Sequence, residues 1–156
     1  MNYQLIDSPI GRLRLASNGT HLIKVEFEGQ QVNVGEDGPT RDAVLEAACA
    51  QLREYFAKQR RSFELPLDPD GTSFQKSVWA ALSRIPYGEL RSYRDIAREI
   101  DNAAAVRAVG AANGRNPLPI IVPCHRVIGS DGSLTGFAGG LEAKTILLQL
   151  EGAILV

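Results

Sequence analysis

Cysteine is scarce in this chain: 156 residues carry two, Cys49 and Cys124, with no Cys-x-x-Cys pair. That count argues against a disulfide framework and against a zinc site of the usual cysteine spacing. The two histidines, His21 and His125, add no ligand cluster, so no metal and no other cofactor are predicted. Apolar runs are short, none long enough to span a bilayer. With 44% hydrophobic residues and formal net charge −1, the composition predicts a soluble globular protein with a sizeable core, in one domain or two small ones. The opening stretch MNYQLIDSPIGRLRLA lacks a basic segment followed by an apolar one, which predicts a cytoplasmic location. A strong charge of one sign is absent too, and near-neutrality by itself lowers the case for a nucleic-acid partner.

What is present is unevenly distributed. Through Gly71 there are 8 basic against 11 acidic residues; from Thr72 onward there are 9 against 7, and between Arg84 and Arg126 seven arginines face four acids. The excess is modest, so it predicts a solvated face before it predicts a partner. Composition shifts at the same place. Before residue 70, Leu13, Leu15, Leu22, Val25 and Phe27 alternate around Asn18-Gly19, the pattern of a hairpin of half-buried strands. Leu45, Ala48, Cys49, Leu52 and Phe56 then recur at steps of three and four, one face of a helix over residues 42 to 57, and Cys49 on that stripe reads as a small core hydrophobe. The turn-forming stretch ELPLDPDGTS is a linker or helix entry and marks a boundary between an N-terminal domain, residues 1–70, and a C-terminal one, residues 71–156.

In the second part, Phe74, Val78, Trp79, Leu82 and Ile85 predict a core helix ending before Pro86. Ser92 and Asp95 have the spacing of a capping box ahead of Ile96, Ala97 and Ile100. Asp101-Asn102 then makes a break that can cap a further helix, running from the alanines at 103–105 to a stop at Gly114. Two short helices across a tight turn predict a helix-turn-helix. The second is built of small residues, Ala103 to Ala112, with Arg107 as its single long side chain. Small residues fit tight packing against a core. They equally suit approach to a widened minor groove, which in B-DNA is about 6 Å wide against about 10 Å for an ordinary helix, with Arg107 placed to enter the base stack.

The run IIVPCHRVIG, residues 120–129, reads as a short buried strand leading to Cys124 and closed by Pro123. A free thiol titrates near 8.5, so a nucleophilic cysteine needs a base or a positive field, and His125 and Arg126 follow directly. Adjacent side chains of a strand point to opposite faces, so a Cys124–His125 pair requires the chain to turn at Pro123, a bridging water, or both, with Cys124 near a helical turn. The residues themselves leave an inert buried thiol open.

In SPIGRLRLA, IPYGELRSYRDIA and RAVGAANGRNPLPIIVPCHRVIGSDGSLTGFAGGLEAKTILLQLEG, the chain resembles the O6-alkylguanine-DNA alkyltransferases. The densest part covers more than a third of its length. The resemblance implies a two-part α+β or α/β fold, with a small N-terminal sheet plus helix and a helical C-terminal domain. It implies Cys124 as the acceptor that takes an alkyl group from guanine O6, once and irreversibly, and O4-alkylthymine as a further substrate. It makes His125 the base acting through a water, Glu151 the carboxylate orienting it, and Asn116 the hinge between helix and active-site strand. Tyr93 would bond the flipped base, Arg107 would fill the gap left in the duplex, and Val127, Phe137 and Ala138 would line the pocket. Arg94, Asn102 and Ser130 match phosphate-contacting positions. The implied partner is duplex DNA bound through its minor groove by a monomer, and base flipping is required because a thiol cannot reach O6 inside a stacked pair.

The chain departs from some relatives. Ala138 stands where some have serine and Phe137 where many have tyrosine, so a backbone role survives at both and a hydroxyl role does not. Some relatives hold a structural zinc for which this N-terminal part lacks ligands, and related alkyltransferase-like proteins have tryptophan in place of the cysteine. Two rival classes use the same features: a turning-over cysteine hydrolase or redox enzyme, and a DNA-binding module that makes no use of the thiol.

Overall fold

Local signals account for most of the secondary structure. The computed structural model describes residues 1–28 and 42–155, and the chain divides into two units, Met1–Asp70 and Gly71–Val156.

In the first unit, β1 (Asn2–Ile6), β2 (Leu13–Ser17) and β3 (Leu22–Phe27) form an antiparallel sheet in the order β1-β2-β3. The β2–β3 turn is made by Asn18, whose side-chain oxygen accepts from the amides of Thr20 and His21 at 3.0 and 2.8 Å, and by Gly19 at φ +99°. A register shift between Ala16 and Ser17 bulges the central strand, which is buried along its whole length. Helix α1 (Ala43–Phe56) lays Leu45, Ala48, Cys49, Leu52 and Tyr55 into the core, the burial of each of the two leucines being worth about 1.5–3 kcal/mol. Burial pushes the Cys49 thiol up, as befits an inert core cysteine. Asp42 caps this helix through the amides of Val44 and Leu45 and also accepts from Ser17 and Asn2, which ties the helix start to the sheet. Those bonds, Ser17's first, hold its carboxyl below the ordinary value. The stretch after α1 runs beside β3, where Leu22 exchanges backbone bonds with Pro66 and Asp68 at 2.8 and 3.0 Å. β1 has no counterpart in the sequence reading, because Asn2, Gln4 and the exposed Leu5 break the alternation.

The second unit is mostly helical. Thr72 and Gln75 form a capping box for α2 (Ser73–Ser83), whose Trp79 donates its indole N–H to the carbonyl of Ala112 at 2.9 Å, a buried bond that secures the helix carrying Ala112. Ser92 and Asp95 form the second capping box, starting α3 (Tyr93–Glu99) from the short strand β4 (Arg91–Ser92). α4 (Val106–Gly114) packs against both α2 and α3. After α4 come a 3-10 turn (Cys124–Arg126), β5 (Val127–Ile128), which pairs in parallel with β4, a glycine-rich loop and α5 (Leu141–Leu150).

Two expectations fail. The apolar run before Cys124 is buried but is not a strand. Pro117, Pro119 and Pro123 have no N–H to give to a ladder, and the segment closes on itself through Val122 N–H to Leu118 O at 2.8 Å. Ile120 takes φ 75°, a left-handed conformation that costs a β-branched residue about 1–2 kcal/mol and that its surroundings must hold in place. The strand follows the cysteine instead. The second failure is the start of α4, which begins at Val106, three residues after the predicted start at Ala103. Asp101 (φ 55°) and the Asn102 amide close the end of α3, so Asn102 does not cap α4; its carbonyl accepts from Ala105 in a turn, and the helix opens at Val106 without a side-chain cap.

Candidate active site

The turn at Pro123 makes the site. Cys124 opens the 3-10 turn with its N–H on Val122 O at 2.8 Å, and the next two residues follow it around the turn into the core of the second unit. Cys124 is 5% exposed and His125 wholly buried. Burial pushes the Cys124 thiol up to about 11, while a hydrogen bond from the Asn116 side chain and the positive charge of Lys144 pull the other way. At neutral pH the sulfur is therefore a thiol. Burial likewise pulls His125 below its ordinary value and outweighs the opposing bond and charge of Glu151. A neutral imidazole can take a proton, which is what a buried thiol requires of its neighbour.

Glu151 ends α5, where a carboxylate meets the negative end of the helix dipole. Its side chain is fully buried, and such a charge survives only with partners. His125 Nε2 lies 2.7 Å from its Oε2. Arg126 donates through Nε to Oε1 at 2.8 Å and through Nη2 to Oε2 at 3.1 Å, and its Nη1 donates to the carbonyl of Ile85 at 2.7 Å. With Nε2 on the carboxylate, His125 Nδ1 is a buried nitrogen with no hydrogen-bond partner among the described residues.

Asn116 spans the segment from α4 to the turn: its side-chain N–H donates to Val122 O at 2.8 Å and its oxygen accepts from Leu118 N–H at 2.9 Å. Lys144 of α5 is fully buried, its ammonium donating to the carbonyls of Val127 at 2.6 Å and Thr135 at 2.7 Å; burial lowers it to about 8. Tyr93, half-buried as the first residue of α3, has its hydroxyl 2.8 Å from that of Thr135. Its ring lies against Gly110 of α4, where a β-carbon would sit 3.9 Å from Tyr93 Cδ1. Phe137 stands edge-on to His125, ring centres 6.5 Å apart.

Among the expected site residues, then, the bonds join His125 to Glu151, link Asn116 to Cys124, and set Phe137 beside His125. Val127 is buried and joins the set through Lys144. Arg94, Asn102, Arg107, Ser130 and Ala138 are exposed and lie outside this network. Arg107 is on the outer side of α4, and Arg94 on α3.

Residues 73–153 match the description "6-O-methylguanine DNA methyltransferase, DNA binding domain", and residues 1–69 match its "ribonuclease-like domain". This chain belongs to the 6-O-methylguanine DNA methyltransferase family. It is 50% identical to the methylated-DNA–protein-cysteine methyltransferase of Methanosarcina acetivorans, over 98% of this chain and 99% of that protein. It is 49% identical to the protein of that name from Mycobacterium tuberculosis, over 97% of this chain and 92% of that one. Among solved structures, Mycobacterium tuberculosis OGT in complex with DNA superposes with TM-score 0.90 at 47% identity, covering 97% of this chain and 93% of that one.

Two residues of this methyltransferase-family site, Lys144 and Thr135, escape sequence reasoning, and Arg126 enters it only as positive charge beside Cys124, with no link to Glu151. Arg126 left a signal, since a cation inside an apolar stretch needs a buried acid. Lys144 and Thr135 left none, because their partners are backbone carbonyls and a tyrosine 42 positions away.

Proposed function

We propose that this chain repairs DNA by direct reversal, taking the methyl or other alkyl group of O6-alkylguanine onto Cys124 in a single displacement. The observation that carries the reading is the buried series Cys124, His125, Glu151, closed by Arg126, in a chain of this family. The sulfur attacks the alkyl carbon, the carbon–O6 bond breaks with its electron pair passing to guanine, and the thiol proton leaves through His125 by way of a water. The product is a thioether with no easy leaving route, so each molecule acts once. O4-alkylthymine offers the same displacement.

Residues 71–156 carry this chemistry, with α3 and α4 read as a helix-turn-helix on the minor groove of duplex DNA. The small residues of α4 allow close approach, and Arg107 fills the gap when the damaged nucleotide is everted. Tyr93 bonds the everted base, and Val127, Phe137 and the main chain at Ala138 line its slot. Arg94, Asn102 and Ser130 contact phosphates. Residues 1–70 play a supporting role. Location in the cytoplasm and action as a monomer complete the reading. Among the described residues no helix is long and apolar enough to cross a membrane.

Intact-mass spectrometry after mixing with duplex carrying O6-methylguanine tests this directly. One methyl should appear on the parent and none on Cys124→Ser, which should still bind the lesion. Binding without a gain in mass would leave a DNA-binding module, and repeated turnover of an ester or peptide would point to a hydrolase.

A further inference from the structure

We propose that Thr135 is a positioning residue for the transfer step, holding the Tyr93 hydroxyl as a hydrogen-bond donor toward the everted guanine. The inference rests on the reading of Tyr93 given above and extends it to a residue in the glycine-rich loop.

Thr135 is bonded in two directions at once. Its carbonyl accepts from Lys144, whose ammonium also holds Val127 O, so the loop backbone at this point is pinned to the strand that leaves the Cys124 turn. Its hydroxyl meets that of Tyr93 at 2.8 Å. The ring of Tyr93 lies against Gly110. A phenol has one proton and can accept as well. Two hydroxyls in contact can bond in either sense, but once a base acceptor reaches the phenol one sense remains: Thr135 donates to Tyr93, and Tyr93 donates to the base. Bonds in such a series polarise one another. As the carbon–O6 bond breaks, negative charge grows on the departing guanine, and a donor so supported gains strength in the transition state more than in the bound ground state. Thr135 therefore acts on the rate of transfer, with little effect on DNA affinity.

Single-turnover transfer on methylated duplex, followed across DNA concentration, tests this. Thr135→Val keeps the shape and the backbone carbonyl that Lys144 uses; its maximal rate should fall about five- to tenfold, the worth of one supporting bond, with the half-saturating DNA concentration unchanged. Thr135→Ser, which restores the hydroxyl, should return the rate to within about twofold of the parent. In a Tyr93→Phe background, Thr135→Val should cost nothing further. A slow Tyr93→Phe beside a Thr135→Val of parental rate would overturn this inference alone. A Tyr93→Phe of parental rate would remove the role of Tyr93 itself and the inference with it. A change confined to half-saturation, or a serine variant as slow as valine, would reduce Thr135 to loop packing and overturn the inference.

Discussion

Removing the imidazole of His125 should change the pH dependence of transfer as well as its speed. The Cys124 thiol is pushed up to about 11, so at pH 7 spontaneous ionisation supplies thiolate in about one molecule in ten thousand. That fraction caps what a base can contribute at neutral pH, and it coincides with the upper end of the roughly 10²- to 10⁴-fold range of general base catalysis. In the parent, maximal transfer should be nearly flat from pH 7 to 9 and decline on the acid side. Burial holds His125 below its ordinary value of 6.5, so protonation disables the base only below that pH. His125→Ala should be about 10²- to 10⁴-fold slower at pH 7 and should gain about tenfold per pH unit up to 9.5, because direct ionisation is then its only route to thiolate. Lys144, lowered to about 8, loses its charge in the same window and slightly flattens that climb. The assay is single-turnover loss of label from O6-methylguanine duplex at saturating protein, with DNA affinity measured in parallel. A variant as fast as the parent at pH 7, or one that is slow with a flat profile, would refute the argument that the thiol is protonated and His125 relieves it.

Arg126→Met should destabilise the fold by about 3–5 kcal/mol in urea unfolding, because it strips both guanidinium bonds from a fully buried carboxylate. Adding Glu151→Gln should recover part of the loss, and strict additivity of the two would count against their coupling. Arg107→Ala, at an exposed site, should leave stability within about 0.5 kcal/mol and should slow transfer from duplex more than from free O6-methylguanine base. Equal slowing on both substrates would remove Arg107 from the duplex.

What the sequence discloses here is what neighbouring residues decide. The box of Ser92 with Asp95, the stripe from Leu45 to Leu52 and the turn at Asn18-Gly19 are each settled within a few positions, and each stands in the structure where its spacing puts it. The apolar run before Cys124 deceived because hydrophobicity reports burial and says little about backbone pairing. Three prolines and an isoleucine at positive φ turn a buried segment into a folded loop, and the two-stranded ladder forms on the far side of the cysteine. The small residues at 103–105 deceived in the opposite way: helix propensity is high, yet Ala105 N–H closes a turn on the Asn102 carbonyl, the acceptor on which an earlier α4 would begin.

In the proposed transfer, the placement of Arg126 follows from what a histidine base must avoid. A buried carboxylate 2.7 Å from an imidazole favours the imidazolium, and a histidine already carrying its proton cannot accept one from a thiol. Arg126 donates a bond to each oxygen of Glu151, so its charge opposes that drift and leaves the carboxylate to orient the ring. Lys144 adds positive charge near the sulfur, where it favours the thiolate, and its field on His125 again favours the neutral ring. Both cations therefore push in the direction the reaction needs, although one of them binds the carboxylate and the other binds two carbonyls. The acid on α5 is stable at a helix end that repels it because the turn after Cys124 supplies the opposing charge, and the turn is held because that acid is there. Sequence-adjacent Cys124, His125 and Arg126 are thus one electrostatic unit, completed by two side chains of a single helix.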